Sequence, residues 1–156
     1  MPRFEPWDAA RAAAIIDDGK AVPGALLPLL HALQAAFGHI PEAAIPMLAA
    51  ALNLSRAEVH GVVSFYHDFR HTPPGRHVLK LCQAEACQSM GCRNLAAAAE
   101  QRLGVTLGGT TPDGRVTLEA VYCLGLCATA PAAMLDGAVA GRLTTSRLDA
   151  LLDGLA

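Results

Sequence analysis

Aromatic side chains are scarce in this chain of 156 residues: one Trp, two Tyr and four Phe. The core must therefore come from Leu, Val and Ala, in keeping with a hydrophobic fraction of 53%. Charge is sparse as well. Twelve basic and fourteen acidic residues give a formal net charge of −2, which offers no electrostatic footprint for nucleic acid or an anionic membrane surface. No apolar run approaches the ~18 residues needed to cross a bilayer. The N-terminal stretch carries Glu5, Asp8, Asp17 and Asp18 in place of the basic and apolar segments of a secretory signal. These absences predict a cytoplasmic protein with no direct membrane insertion.

Several motifs are missing too. No G-x-G-x-x-G follows a predicted strand, so the chain has no dinucleotide fingerprint of its own. No H-E-x-x-H accompanies the six histidines, and His67 and His71 read as surface or packing residues. A thioredoxin-type dithiol enzyme would use C-x-x-C, and no such pair exists. Residues 43–66 have the outline of a helix-turn-helix, but Arg56 is the only evident phosphate contact on the second helix, so nucleic-acid binding is not expected.

What is present divides near residue 72. Residues 1–72 read as a bundle of about four helices. Trp7–Ile16 is alanine-rich, and Ala25–Phe37 sets Leu26, Leu29, Leu30 and Leu33 at helical spacing. Pro28 and Pro46 sit near the starts of two segments and delay the regular helix. Ser55-Arg56-Ala57-Glu58 is a capping box ahead of the fourth helix. The run His71–Arg76, with two prolines and a glycine, is a linker by composition. From residue 73 to 156 the pattern becomes strand (Val78–Cys82), helix (Asn94–Leu103), strand (Val116–Tyr122), hairpin about Asp136-Gly137 (Ala132–Leu135 and Val139–Leu143), then helix (Ser146–Leu155). A strand–helix–strand unit followed by a hairpin predicts an α/β domain of thioredoxin-like arrangement with a small mixed sheet.

Cysteine spacing is the strongest signal. Cys82 and Cys87 enclose four residues, Cys123 and Cys127 enclose three, and the count of five argues against a disulfide framework. In a reducing compartment thiols persist unless a metal holds them. Cys82 and Cys123 end the two strands predicted to be parallel, and Cys87 and Cys127 follow in the loops. The two pairs should meet at one sheet edge. Four thiolates hold zinc or an iron–sulfur cluster. Zinc typically takes C-x-x-C knuckles, whereas these wider loops suit a two-iron cluster with one thiolate pair per iron. Gly125 and Gly91 would let backbone approach the sulfurs, and a helix entering after Cys87 would aim its dipole at them. Cys92 repeats the four-residue spacing. On a helix already running at Cys87 it would face elsewhere, and it reads as a small packed thiol.

The C-x4-C…C-x3-C pattern, with Gly125 in the second pair and Ala130-Pro131 after it, resembles the thioredoxin-like two-iron ferredoxin subunit of NADH dehydrogenases. The resemblance extends to Leu52–Ser55 and Val62–Tyr66. It implies relatives in bidirectional hydrogenases and NAD-dependent formate dehydrogenases. The stretches Leu54–Arg70 and Cys82–Gly91 are similar in wording to the gamma subunit of the molybdenum formate dehydrogenase. What the resemblance implies is one [2Fe–2S] cluster on Cys82, Cys87, Cys123 and Cys127, transferring electrons without a substrate site on this chain. It also implies a helical domain that docks on a flavin- and NAD-binding partner, and through that partner a molybdenum-containing catalytic subunit. A structural zinc module for assembly is the reading of another class.

Overall fold

Asp8 starts the first helix. Its carboxylate accepts the backbone N–H groups of Ala10 and Arg11 at 2.7 and 3.0 Å, satisfying two donors that the first turn leaves open. Helix α1 therefore runs Ala9–Gly19, later than the stretch expected from Trp7. Trp7 instead packs edge-on against Phe37, with ring centroids 5.1 Å apart. The computed structural model describes residues 4–155; the ends expected at residues 1–3 and 156 lie outside the described residues. One compact unit extends to Pro73 and a second begins at Pro74.

In the first unit α1 is followed by α2 (Leu26–Phe37), α3 (Ala44–Leu52) and α4 (Arg56–Phe65). Pro28 and Pro46 each occupy the third position of their helix. The first four N–H groups of a helix have no internal acceptor, so a missing N–H there costs little. Gly38 and Asn53 end α2 and α3 at φ of 78° and 53°, the left-handed stop that glycine and asparagine accept most readily. Leu29, Leu30, Leu33, Phe37, Leu48, Val59 and Val63 close the core, and Phe69 is buried with them. Phe65 and Tyr66 stay exposed.

The second unit contains β1 (His77–Cys82), α5 (Glu85–Ser89), α6 (Cys92–Leu103), β2 (Val116–Val121), a 3-10 turn (Cys127–Thr129), β3 (Ala133–Leu135), β4 (Ala138–Ala140) and α7 (Thr145–Asp153). The sheet order is β2-β1-β3-β4. β1 and β2 are parallel, in a register that sets Leu79 beside Leu118 and Cys82 beside Val121. β3 lies antiparallel to β1 and to β4. The sheet is thus mixed, as the strand pattern predicts. Asp136 and Gly137 both have positive φ, 52° and 92°, which makes the two-residue turn that matches strand twist. Leu79, Leu81, Val116, Leu118, Leu148 and Leu152 form this unit's own core.

Beyond shifts of one or two residues at several element ends, the main departures from expectation are these. β4 ends at Ala140 and does not reach Leu143. Arg142 turns to φ 48°, and the N–H groups of Arg142 and Leu143 leave the ladder for the carbonyls of Thr129 and Pro131. A helix, α5, precedes Cys87 and contains it. α6 starts two residues earlier than Asn94, where Gly91 at φ 86° restarts the chain.

At the capping box of α4, Glu58 N–H donates to Ser55 Oγ at 3.1 Å, and Glu58 Oε2 accepts from Ser55 N–H at 2.8 Å. The Ser55 backbone N–H first, and then its hydroxyl, hold the Glu58 carboxyl below the usual carboxylate range. Ser55→Ala should cost about 1 kcal/mol of stability, read as a lowered denaturant midpoint. Because the folded pKa is depressed, the box contributes fully above the unfolded glutamate's pKa. That contribution is lost as pH falls through the lower folded value. The gap between wild type and Ser55→Ala should therefore narrow in acid.

Candidate metal centre

The parallel register carries two cysteine loops to one edge of the sheet. Cys82 is the last residue of β1 and Cys123 lies two residues past β2. Cys87 sits in the middle of α5, and Cys127 opens the 3-10 turn. Neither lies in an open loop, as the sequence led one to expect, because both loops close their backbone hydrogen bonds locally. Gln88 N–H reaches Ala84 C=O at 2.9 Å, and Thr129 N–H reaches Leu126 C=O at 2.9 Å.

The sulfurs form two pairs. Cys123 Sγ and Cys127 Sγ are 3.8 Å apart and exposed. Cys82 and Cys87 are 3% and 2% exposed, and the Cys87 thiol donates to Cys82. Cys82 joins the pairs: its sulfur accepts N–H donors from Ala84 on its own side and from Cys123 and Leu124 on the other. Among the described residues no three His, Cys, Asp or Glu side chains close on one point as they would around a single ion.

Backbone amides set the electrostatics. Burial raises the Cys82 thiol, but the N–H of Ala84, the Cys87 thiol, and the N–H groups of Cys123 and Leu124 together outweigh it, and its pKa falls below the ordinary thiol value. Cys87 is pushed up to about 11, by burial first and then by sharing its proton with Cys82. Cys127 is raised by its hydrogen bond to Cys123. Gly125 N–H points at Cys123 Sγ from 3.3 Å, and its φ of 75° shapes that loop. Cys123 itself sits at φ 102°, a conformation uncommon for any residue other than glycine. The sequence carries no signal for it.

α5 has only five residues and holds Cys87 in its middle; the helix that enters after Cys87 is α6, whose first residue, Cys92, is buried with Cys82 and Cys87. Gly91 does not reach a sulfur; its N–H bonds to Gln88 C=O at 3.1 Å, and it breaks the helical path before Cys92. The expectation that Cys92 faces away on one continuous helix is therefore corrected. Cys92 is 2% exposed and buried in one group with Cys82, Cys87, Ala130 and Ala132. Burial raises its pKa.

This donor set fits a [2Fe–2S] group. It offers four sulfurs in two pairs, with six backbone N–H groups (Ala84, Cys123, Leu124, Gly125, Cys127 and Ala132) directed at them to offset the negative charge of cluster and thiolates. When bound, such a cluster takes up and releases one electron at a time. The chain's residues would hold it with one pair sealed from water and the other open to the surface.

No described helix is long and apolar enough to cross a membrane. The chain is 33% identical over 129 residues to the HndA subunit of the NADP-reducing hydrogenase of Solidesulfovibrio fructosivorans, covering 83% of this chain and 75% of that one. It is 35% identical to a subunit of the NADH-quinone oxidoreductase of Pseudomonas aeruginosa, covering 83% and 78%. Its fold matches a crystal structure of an NAD+-reducing [NiFe]-hydrogenase in the H2-reduced state, with a TM-score of 0.73 and 29% identity over 83% of this chain. The chain spans 22% of the length of that hydrogenase chain. The sequence profile of the thioredoxin-like [2Fe–2S] ferredoxins matches residues 12–156. With the two thiol pairs at one edge of a thioredoxin-like sheet, the chain belongs to the thioredoxin-like [2Fe–2S] ferredoxin family, and its cofactor is one [2Fe–2S] cluster.

Proposed function

We propose that this chain is the ferredoxin subunit of a multi-subunit, NAD-linked oxidoreductase, with Cys82, Cys87, Cys123 and Cys127 as the ligands of its cluster. The observation that carries this reading is the pairing at the sheet edge: a sealed pair, an exposed pair 3.8 Å apart, and Cys82 bonded to the far loop's amides. Two pairs suit an object wider than one ion, which favours the cluster over the structural zinc module. Relatives named as subunits of NADH-quinone oxidoreductase and of an NADP-reducing hydrogenase support membership of such a complex. The chain has no dinucleotide fingerprint, so the nucleotide and flavin chemistry belongs to a partner subunit.

The finer reading is the gamma subunit of an NAD-dependent formate dehydrogenase, acting in the cytoplasm, with a molybdenum-containing catalytic subunit reached through the flavoprotein. Its support is the wording of Leu54–Arg70 and Cys82–Gly91. In this reading residues 1–72 are the docking unit and 73–156 the ferredoxin unit. Exposed Phe65 and Tyr66, stacked edge-on at 5.1 Å, give the helical unit an aromatic surface for a partner. Anaerobic purification of the native chain and identification of its companions tests the assignment. A flavoprotein and a molybdoprotein with formate-dependent NAD reduction support it. Quinone-reductase or hydrogenase companions point to the other members of the class, and a colourless zinc-containing preparation overturns the cluster reading.

Three further outcomes are expected. Cys123→Ala or Cys127→Ala should lose the visible absorption and the electron paramagnetic resonance signal of the reduced cluster; a full spectrum in either variant would refute the ligand set. Gly125→Ala meets open space, with nothing within 4 Å of the added Cβ. Its cost is the positive φ alone, about 1–2 kcal/mol, and should be read as faster iron loss to a chelator at an unchanged initial iron content. A chain starting at Arg76 keeps the second core whole and should retain its cluster while failing to co-purify with the flavoprotein; normal co-purification would remove the docking role of the helical unit.

A further inference from the structure

Two buried side-chain nitrogens among the described residues have no hydrogen-bond partner, Gln83 Nε2 and Arg115 Nε. Arg115 Nε has Asp113 Oδ2 at 3.6 Å. Gln83 Nε2 carries two protons and sits on the residue directly after Cys82. The rest of Gln83 is engaged: its N–H donates to Val121 C=O at 2.8 Å, its C=O accepts Gln88 Nε2 at 2.9 Å, and its Oε1 accepts the Cys92 thiol at 3.5 Å. Cys92 in turn belongs to the buried group of Cys82 and Cys87. Turning the amide over would take the acceptor from the Cys92 thiol and bury an unpaired oxygen, so Cys92 fixes which end of the amide is free.

A buried donor without an acceptor is costly and native proteins rarely leave one. The acceptors that loading adds at this edge are sulfurs. We propose that Gln83 Nε2 donates a hydrogen bond to a sulfur of the bound cluster or of its buried thiolates, and that Cys92 is the positioning residue that holds the amide in that orientation. The proposal rests on the assignment of Cys82 and Cys87 as ligands. It gives the fifth cysteine a role without making it a ligand. A neutral donor at a sulfur stabilises the more negative, reduced state, so Gln83 raises the reduction potential.

The test is redox titration of the full-length, cluster-loaded protein. Gln83→Leu keeps the bulk and removes the donor. It should retain its iron, while the reduced-to-oxidised ratio at a fixed ambient potential falls about tenfold, equivalent to ~59 mV for one electron. An unchanged potential in a fully loaded Gln83→Leu would overturn the proposal. Cys92→Ser keeps a proton donor toward Oε1 and should titrate like wild type, whereas Cys92→Ala should shift in the direction of Gln83→Leu by a smaller amount. Wild-type behaviour of Cys92→Ala would remove the positioning role. Should Gln83→Leu fail to load, the unsubstituted protein with 15N in its glutamine side chains decides the matter. Pulsed electron paramagnetic resonance of its reduced cluster should show a 15N coupling that survives Gln88→Leu, and no such coupling would overturn the proposal. Failure of the ligand assignment reads out separately, as iron retained by Cys82→Ala.

Discussion

The in-register parallel pairing of β1 with β2 is the constraint on which the site depends. Cys82 pairs with Val121 across the ladder, so the chain leaves both strands at the same height and on the same edge. Only then can the N–H groups of Cys123 and Leu124 reach the sulfur of Cys82. A slip of one residue would turn every side chain of a strand to the opposite face. It would break the Leu79–Leu118 packing and the sulfur–amide contacts together. The apolar core and the metal centre are therefore specified by one register. The Arg142 and Leu143 amides add a second tie, holding residues 129–131, which follow Cys127.

Amides do at this edge what charged side chains do elsewhere. No Lys or Arg bonds to the four sulfurs among the described residues, and the offset to negative charge comes from fixed N–H dipoles. Such donors are already oriented by the backbone before any charge arrives, so little reorganisation accompanies a change of one electron. The difference between the pairs follows from where they sit. Cys82 and Cys87 are buried with Ala130 and Ala132, with Ala84 and Ala86 packed against them. Cys123 and Cys127 stand at the rim with Tyr122 exposed beside them. One thiol pair is shielded from water and the other lies open to the surface.

Much of this was legible in the sequence because it rests on periodicity and spacing. The leucines of α2, the Ser55–Glu58 box and the Asp136-Gly137 turn all form as their residue types dictate, and the cysteine pairs fall where strand ends bring them. The failures share a cause: each is a local backbone choice made by tertiary contacts. β4 ends early because Thr129 and Pro131 offer better acceptors to residues 142 and 143 than a strand partner does. Cys123 takes φ 102° with no glycine to announce it, since closing the loop onto Cys82 outweighs the local steric cost. α5 forms in a segment read as a loop because Gly91, read as a close-approach residue, serves as a break between two helices.

That break also explains why the fifth cysteine misleads a reading by spacing. On a continuous helix, Cys87 and Cys92 would diverge by their angular separation. With the path reset at Gly91, the first side chain of α6 turns back into the pocket that holds Cys87, yet its proton is committed to Gln83 Oε1. A thiol whose proton serves a neighbouring amide is poorly placed to compete for iron, because ligation requires the thiolate and would release that amide. Burial presses the same way, since it raises the cost of removing the proton. Proximity to the centre and unfitness as a ligand thus have a single origin in the geometry of residues 83, 91 and 92.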